Sequence, residues 1–275
     1  MGILLQVENL NVSYRAAEGC EFRAVEGVSF HVGPGEVLGL MGESGCGKSS
    51  VALATMGLLE ERHASVSGTV KFRGENLGCM NDRALEKIRG AGISIIHQEP
   101  GIALSPVMRV GSQIAEVVHA HKRWKWEKCR EEAHSILSRV GLESTNRIFS
   151  AYPHQLSAGQ LQRVVLAQAL VCGPPLLIAD EPTSSLDARS QADFIALLRD
   201  LKKRSRMSML LISHTPEIHA SLADRLAVMR DGRIVEEGDF EKLYASPADG
   251  YTKALLRRPS AIEDDEAMAP QRIAR

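Results

Sequence analysis

At 275 residues, 44% hydrophobic and 24% charged, the chain has the make-up of a soluble globular protein with one large core, or with a core that carries an inserted lobe. A formal net charge of -1 gives no electrostatic reason to expect a nucleic-acid partner. No apolar run approaches the ~18 residues of a membrane-spanning helix and the first residues lack a signal-peptide pattern, so a cytoplasmic location is expected.

Leu4 to Val7 and Phe22 to Val32 alternate apolar and polar residues up to Gly33-Pro34-Gly35, which predicts antiparallel strands, and Val66 to Phe72 continues that sheet. Glu36 to Met41 reads as a buried strand and Ser49 to Leu59 as a helix, with a glycine-rich loop between them. From about Met108 to Gly141 the apolar spacing turns helical, through Val110, Ile114, Val117 and Val118 and then Ala133, Ile136, Leu137 and Val140, as an inserted helical lobe would. A helix from Ser157 to about Cys172 stops at Gly173-Pro174-Pro175, ahead of the apolar strand Leu176 to Ala179. A helix over Ala188 to Lys203, a strand from Met209 to Ser213, and a hairpin of Arg225 to Arg230 and Arg233 to Glu237 around Asp231-Gly232 complete the body. Strands alternating with helices predict an α/β protein whose parallel sheet is covered on both faces. Beyond Pro259, the acidic cluster Glu263 to Glu266 among small and polar residues predicts a disordered tail. The five cysteines, Cys20, Cys46, Cys79, Cys129 and Cys172, form no C-x-x-C pair, so reduced thiols are expected.

The glycine-rich loop carries the chemistry. Gly42-Glu43-Ser44-Gly45-Cys46-Gly47-Lys48-Ser49-Ser50 satisfies G-x-x-x-x-G-K-[ST] between a strand end and a helix N-terminus, where inward backbone N–H groups and the helix dipole bind phosphate. Lys48 is expected to reach the β and γ phosphates and the Ser49 hydroxyl to ligate Mg²⁺. A second strand, Leu176 to Ala179, ends in two acids: Asp180 to hold Mg²⁺ and Glu181 to polarise the water that attacks the γ phosphate. His214, after the strand Met209 to Ser213, is either structural or a γ-phosphate sensor. Ser157 is a good N-cap, and its hydroxyl with the Gly159 amide makes another anion site at a helix start.

Leu156-Ser157-Ala158-Gly159-Gln160 resembles the L-S-G-G-Q signature of ATP-binding cassette (ABC) ATPases, with Ala158 where the first glycine is expected. Other elements follow in the family's order. Tyr14 is similar to the aromatic that stacks on adenine, the alternative being a core aromatic of a strand. Gln98 resembles the glutamine that contacts Mg²⁺ or the attacking water, Ser185-Leu186-Asp187 the loop whose aspartate communicates across a dimer, and Ser213-His214 the switch histidine. The resemblance implies a P-loop ATPase with a mixed core sheet, an N-terminal antiparallel β subdomain and a helical subdomain, about 100–172, inserted in a domain spanning 4–258, leaving 259–275 as the tail. It implies two subunits facing head to tail, so that Ser157, Ala158, Gly159, Gln160 and Asp187 of one chain act in trans on the ATP of the other.

Tyr152-Pro153-His154-Gln155, Ala103 to Met108 and Gly250 to Leu256 resemble the oligopeptide, dipeptide and nickel importer branch. That branch implies a transmembrane permease pair whose coupling helices dock beside Gln98, an extracytoplasmic binding protein, and a peripheral position on the cytoplasmic face of the plasma membrane. An ATPase of a soluble, phosphonate-cleaving type of enzyme complex is the alternative; a small-molecule kinase is disfavoured because it needs no signature in trans. No cysteine follows Cys172, so the iron–sulfur cluster carried by many members of the branch is not expected. Ala158 adds a methyl near the phosphate, with strain if its φ is positive. Cys46 is expected either to be unreactive or to be a thiolate activated by Lys48 and the helix N-terminus. His119, His121 and His134 around Arg123-Trp124-Lys125-Trp126 fit no standard ligand spacing and are expected to form a polar rim, and Lys202-Lys203-Arg204 a solvated helix end.

Overall fold

A computed structural model describes residues 2–15, 21–60 and 62–257; the expected tail at 259–275 and Cys20 lie outside the described residues. Strand β1 (Leu5–Arg15) sits between β2 (Glu21–Val32) and β4 (Ala64–Phe72), all antiparallel, with the two-residue β5 (Glu75–Asn76) beyond β4. Register sets Tyr14 directly opposite Phe22 on β2 and opposite Ala64 on β4, so the two aromatics share one face.

The second sheet has six strands in the order β10 (Arg233–Asp239), β9 (Arg225–Arg230), β3 (Val37–Met41), β8 (Ser208–Ser213), β7 (Leu176–Asp180) and β6 (Ile93–Ile96). All of its neighbours pair in parallel except β10, which turns back on β9 at Asp231-Gly232. The sheet is therefore mixed, where strand and helix alternation alone suggests a parallel one. Strands β3, β7 and β8 are buried along their whole length, which is why VLGLM, LLIAD and SMLLIS read as continuous apolar runs instead of alternating ones.

Alternate residues of these strands feed two cores. Leu38, Leu40, Ile178, Leu210 and Ile212 pack toward the antiparallel sheet and helix α1 (Lys48–Thr55). The expected span of that helix, Ser49 to Leu59, is too long, because the chain turns off at Gly57, whose φ of 62° is a left-handed helix stop. Helix α2 (Asp82–Ile88) precedes β6. Val37, Leu177, Ala179, Met209 and Leu211 point the other way, into a cluster shared with the helices inserted between β6 and β7. These are α3 (Pro100–Ala103), α4 (Val110–Lys122), α5 (Trp126–Arg139), α6 (Thr145–Ser150) and α7 (Ala158–Leu170). Val110, Ile114 and Val118 of α4 meet Ala133, Ile136 and Leu137 of α5 at helical spacing, as the sequence pattern predicts. Lobe and sheet share one apolar core, in which Leu177 and Ala179 of β7 pack with the inserted helices.

Helix α8 (Ala188–Ser205) leads into β8 and α9 (Pro216–Leu222) into β9; α10 (Phe240–Ala245) and α11 (Gly250–Leu256) are anchored by Phe240, Leu243, Leu255 and Leu256 against Met41, Leu226 and Val228. Lys202 at the end of α8 pairs with Asp224 at 2.7 Å, and the rest of the basic run stays exposed. Among the described residues, no helix is long and apolar enough to cross a membrane.

Helix α9 lies across β3 at Gly39, where an added Cβ would overlap the His219 ring and crowd Leu226. His219 is fully buried, and burial pushes its pKa down to about 4, with Glu181, Lys48 and His214 as its charged or titratable neighbours. A Gly39→Ala variant should lose about 1–3 kcal/mol of unfolding free energy in urea melts. Between pH 6.5 and 4 the unfolded chain binds a proton at this histidine that the folded chain does not, so stability is full above pH 6.5 and declines as pH falls toward 4. Comparing urea unfolding at pH 7 and 4.5, the wild-type chain should lose about 2 kcal/mol more than a His219→Leu variant.

Candidate functional site

The loop from Gly42 to Ser50 leaves the end of β3 and enters α1. Its shape requires glycine at two places: a Cβ on Gly42 would overlap the Met229 carbonyl oxygen, and one on Gly47, whose φ is 106°, would overlap the Ala24 carbonyl oxygen. The hairpin turn locks the loop from outside, because the Gly232 N–H donates to the Cys46 carbonyl and the Gly232 carbonyl accepts from Glu26. No side chain caps the start of α1, so its first amides are available to an anion in the cleft. Lys48 is buried, and its Nζ donates to the carbonyls of Gly42 and Glu43 at 2.8 and 2.9 Å.

The in-register ends of β7 and β8 deliver the acids and the histidine beside this loop. Asp180 is buried; its Oδ1 has no hydrogen-bond partner, while the Ser49 hydroxyl bonds to the carboxylate. Burial pushes the Asp180 carboxyl up and the Glu181 charge adds to this, against the Ser49 bond, Lys48 and His97. A buried unpaired carboxylate oxygen next to a hydroxyl is a donor set that fits a hard divalent cation completed by phosphate oxygens. Glu181 adopts φ 46°, an uncommon conformation for a residue with a side chain, fixed by its N–H bond to the Ile212 carbonyl. Its Oε1 accepts from the His214 backbone N–H at 3.0 Å and lies 2.8 Å from His214 Nδ1. The hydrogen bond to Glu181 raises the His214 pKa, more than the partial burial of the ring lowers it.

The cradle and Glu181 open into a cleft of about 340 Å³ lined by Ser44, Gly45, Gly47, Lys48, Ser49, Ser50, Gln98, Glu181 and His214, together with Tyr14, Phe22 and Ala24. The Tyr14 hydroxyl sits 3.0 Å from Ser50 Oγ, which ties β1 to the start of α1. Phe22, 61% exposed, was not apparent from the sequence as a site residue; its direct pairing with Tyr14 is the signal that the register supplies. His97 near Asp180, and Tyr251 of α11, whose hydroxyl accepts the Glu43 N–H at 3.2 Å, also reach the site, although the sequence pattern assigns neither a role in it. Cys46 corrects one expectation. Its side chain turns into the core, and burial raises the thiol pKa by more than Lys48, 3.8 Å away, lowers it, so the activated-thiolate reading is discarded.

The signature residues are not brought to this cleft. Ser157 caps α7 by accepting the Gln160 N–H at its hydroxyl, and Gln160 Oε1 in turn accepts the Ser157 N–H. Ala158 is helical and has no positive φ, so the expected strain there is absent. Ser157, Gly159 and Gln160 line a separate cleft of about 360 Å³ with Arg163, Leu186 and Ser190. A Cβ on Gly159 would meet Ser190 only at ordinary contact distance, so nothing in this chain's own packing demands glycine there. Asp187 caps α8 through the amides of Arg189 and Ser190, which lowers its pKa. Buried Gln162 donates to the Pro182 carbonyl at 2.6 Å and so links α7 to the segment after Glu181. His119 stacks on Trp126 and His134 on Phe149, with Lys122 and Lys128 over Trp124, which makes these groups the rim of the lobe. Among the described residues there is no group of three or more His, Cys, Asp or Glu that would hold a metal.

The family model described as ABC transporter matches residues 25–184. The dipeptide transport ATP-binding protein DppD of Bacillus subtilis is 41% identical over 254 residues, covering 92% of this chain and 76% of that protein. Its namesake in Escherichia coli is 39% identical over 267 residues, 97% of this chain and 81% of that one. Among solved structures, the dimeric ATP-binding cassette MJ0796 bound to ADP and Pi superposes with a TM-score of 0.76 at 26% identity, covering 86% of this chain and 98% of that one. A phosphate cradle joined to a strand-end acid pair, in a fold shared with a nucleotide-bound cassette, means that the chain belongs to the ABC transporter family as one of its nucleotide-binding ATPase cassettes.

Proposed function

We propose that this chain powers a peptide importer, with MgATP bound at the cradle and hydrolysed between two paired cassettes under a transmembrane permease at the cytoplasmic face of the membrane. Relatives named for dipeptide and oligopeptide transport, about 40% identical over more than nine-tenths of the chain, carry the substrate class. The ATP-binding domain is taken as 4–258, with the helical subdomain at about 100–172 as the part that meets the permease beside Gln98.

In this reading the amides of Gly45 to Ser49 and the Lys48 ammonium hold the β and γ phosphates, and Tyr14 and Phe22 give the adenine its apolar platform. The unpaired Oδ1 of Asp180 and the Ser49 hydroxyl support a Mg²⁺ site there, with Gln98 as a further oxygen donor. Bound there, Mg²⁺ neutralises charge on the phosphates. Glu181 takes the proton of the water that attacks the γ phosphate, yielding ADP and phosphate. His214 holds Oε1 through two contacts, while Oε2 accepts only the long 3.5 Å bond of the Ser213 hydroxyl, so Oε2 is the oxygen that turns to that water. The raised pKa of His214 favours the imidazolium, whose Nε2–H then serves as a donor to the γ phosphate. The separate signature cleft supports action in trans: Ser157, Ala158, Gly159, Gln160 and Asp187 complete the site of a second copy or a paralogue.

The observation that carries the reading is the Glu181–His214 pair at the mouth of the cradle cleft. A Glu181→Gln variant should bind ATP normally, lose about 100-fold or more in turnover, and elute as an ATP-trapped dimer; undiminished phosphate release refutes Glu181 as base. Tyr14→Ala should raise the KM for ATP roughly tenfold with kcat little changed, whereas Tyr14→Phe should stay within about twofold. In vesicles containing the chain with its permease pair and binding protein, short peptides should stimulate ATP hydrolysis, and a flat response to peptides overturns the substrate assignment.

A further inference from the structure

His219 is fully buried and outside the reaction described above, yet it is polar on both sides of its ring. Its Nε2 lies 3.0 Å from the Ser213 carbonyl oxygen, while its Nδ1 has no partner. A carbonyl oxygen can only accept, so Nε2 carries the hydrogen, and because the buried ring is neutral Nδ1 is bare. Leaving a polar atom unpaired in a core costs stability that an apolar side chain of the same size would not. Gly39 gives the ring its room.

The partner of that N–H explains its place. The Ser213 carbonyl and the His214 N–H belong to one planar peptide unit, and the His214 N–H donates to Glu181 Oε1 at 3.0 Å. A continuous chain of hydrogen bonds thus runs from the His219 ring through a single peptide plane to the Glu181 carboxylate. Rotation of that plane would break both bonds together, and each bond polarises the other. Ser213 Oγ adds a further tie, accepting the Thr215 N–H at 3.2 Å.

We infer that His219 is a positioning residue, which clamps the Ser213–His214 peptide so that Glu181 is held for proton abstraction. The inference rests on the assignment of Glu181 and His214 in the proposed function. Its test compares His219→Leu, which fills the space without a donor, with His219→Gln, whose amide can reach the same carbonyl. His219→Leu should lower kcat for ATP about 3- to 10-fold with KM within about twofold and with thermal unfolding at pH 7 preserved; His219→Gln should recover at least half of the lost kcat. Nitrogen-15 NMR of the wild-type ring should show Nε2–H with a bare Nδ1, and the opposite tautomer overturns the clamp even where a variant fails to fold. Full turnover in His219→Leu alongside loss in Glu181→Gln overturns this inference alone; retained turnover in Glu181→Gln overturns the assignment beneath it.

Discussion

The site depends on the register of three buried parallel strands. Met41 pairs with Ser213 and Asp180 with Ile212, so the ends of β3, β8 and β7 stop at one edge of the sheet. The cradle, the acid pair and the histidine each begin where a strand ends, which is the place where an open α/β sheet offers a crevice. A slip of one residue in any of these strands would exchange its two faces and send its terminal side chain away from the cleft. Continuous burial on both faces is what holds the register, since Leu38 and Leu40 belong to one core and Val37 to the other.

Polar groups at this edge are satisfied in an uneven way that separates structure from chemistry. Glu181 is bonded through its backbone and through both carboxylate oxygens, Oε1 to His214 and Oε2 to the Ser213 hydroxyl, and its unusual φ is held by the Ile212 carbonyl. Asp180 is the opposite case, buried with an oxygen that no protein group meets. The first arrangement fixes a direction and the second leaves a charge in need of a cation, which together suit phosphate chemistry.

Much of this was legible in the sequence because the cradle, the acid pair and the signature are local patterns with local physical causes. The apolar runs at Val37, Leu176 and Met209 announced buried strands for the same reason. What escaped depends on non-local pairing. Phe22 acquires meaning only from its register with Tyr14, His219 only from the peptide it meets beneath Gly39, and Tyr251 only from its reach back to Glu43. The direction of Cys46 was equally hidden, since one turn of loop decides whether a thiol faces phosphate or core. Gly57 is readable as a helix stop, but the apolar residues beyond it outweighed that signal in the periodicity.

The Asp231-Gly232 turn joins two exposed strand ends and looks, by position, like a natural place to splice in a tag or a reporter domain. Its buried glycine is bonded to the Gly42–Ser50 loop on one side and to β2 on the other, so it fastens the sheet that carries Tyr14 and Phe22 to the sheet that carries that loop. A fusion there would pull the two halves of the nucleotide site out of alignment while leaving each sheet intact, producing a folded protein that has lost its ligand.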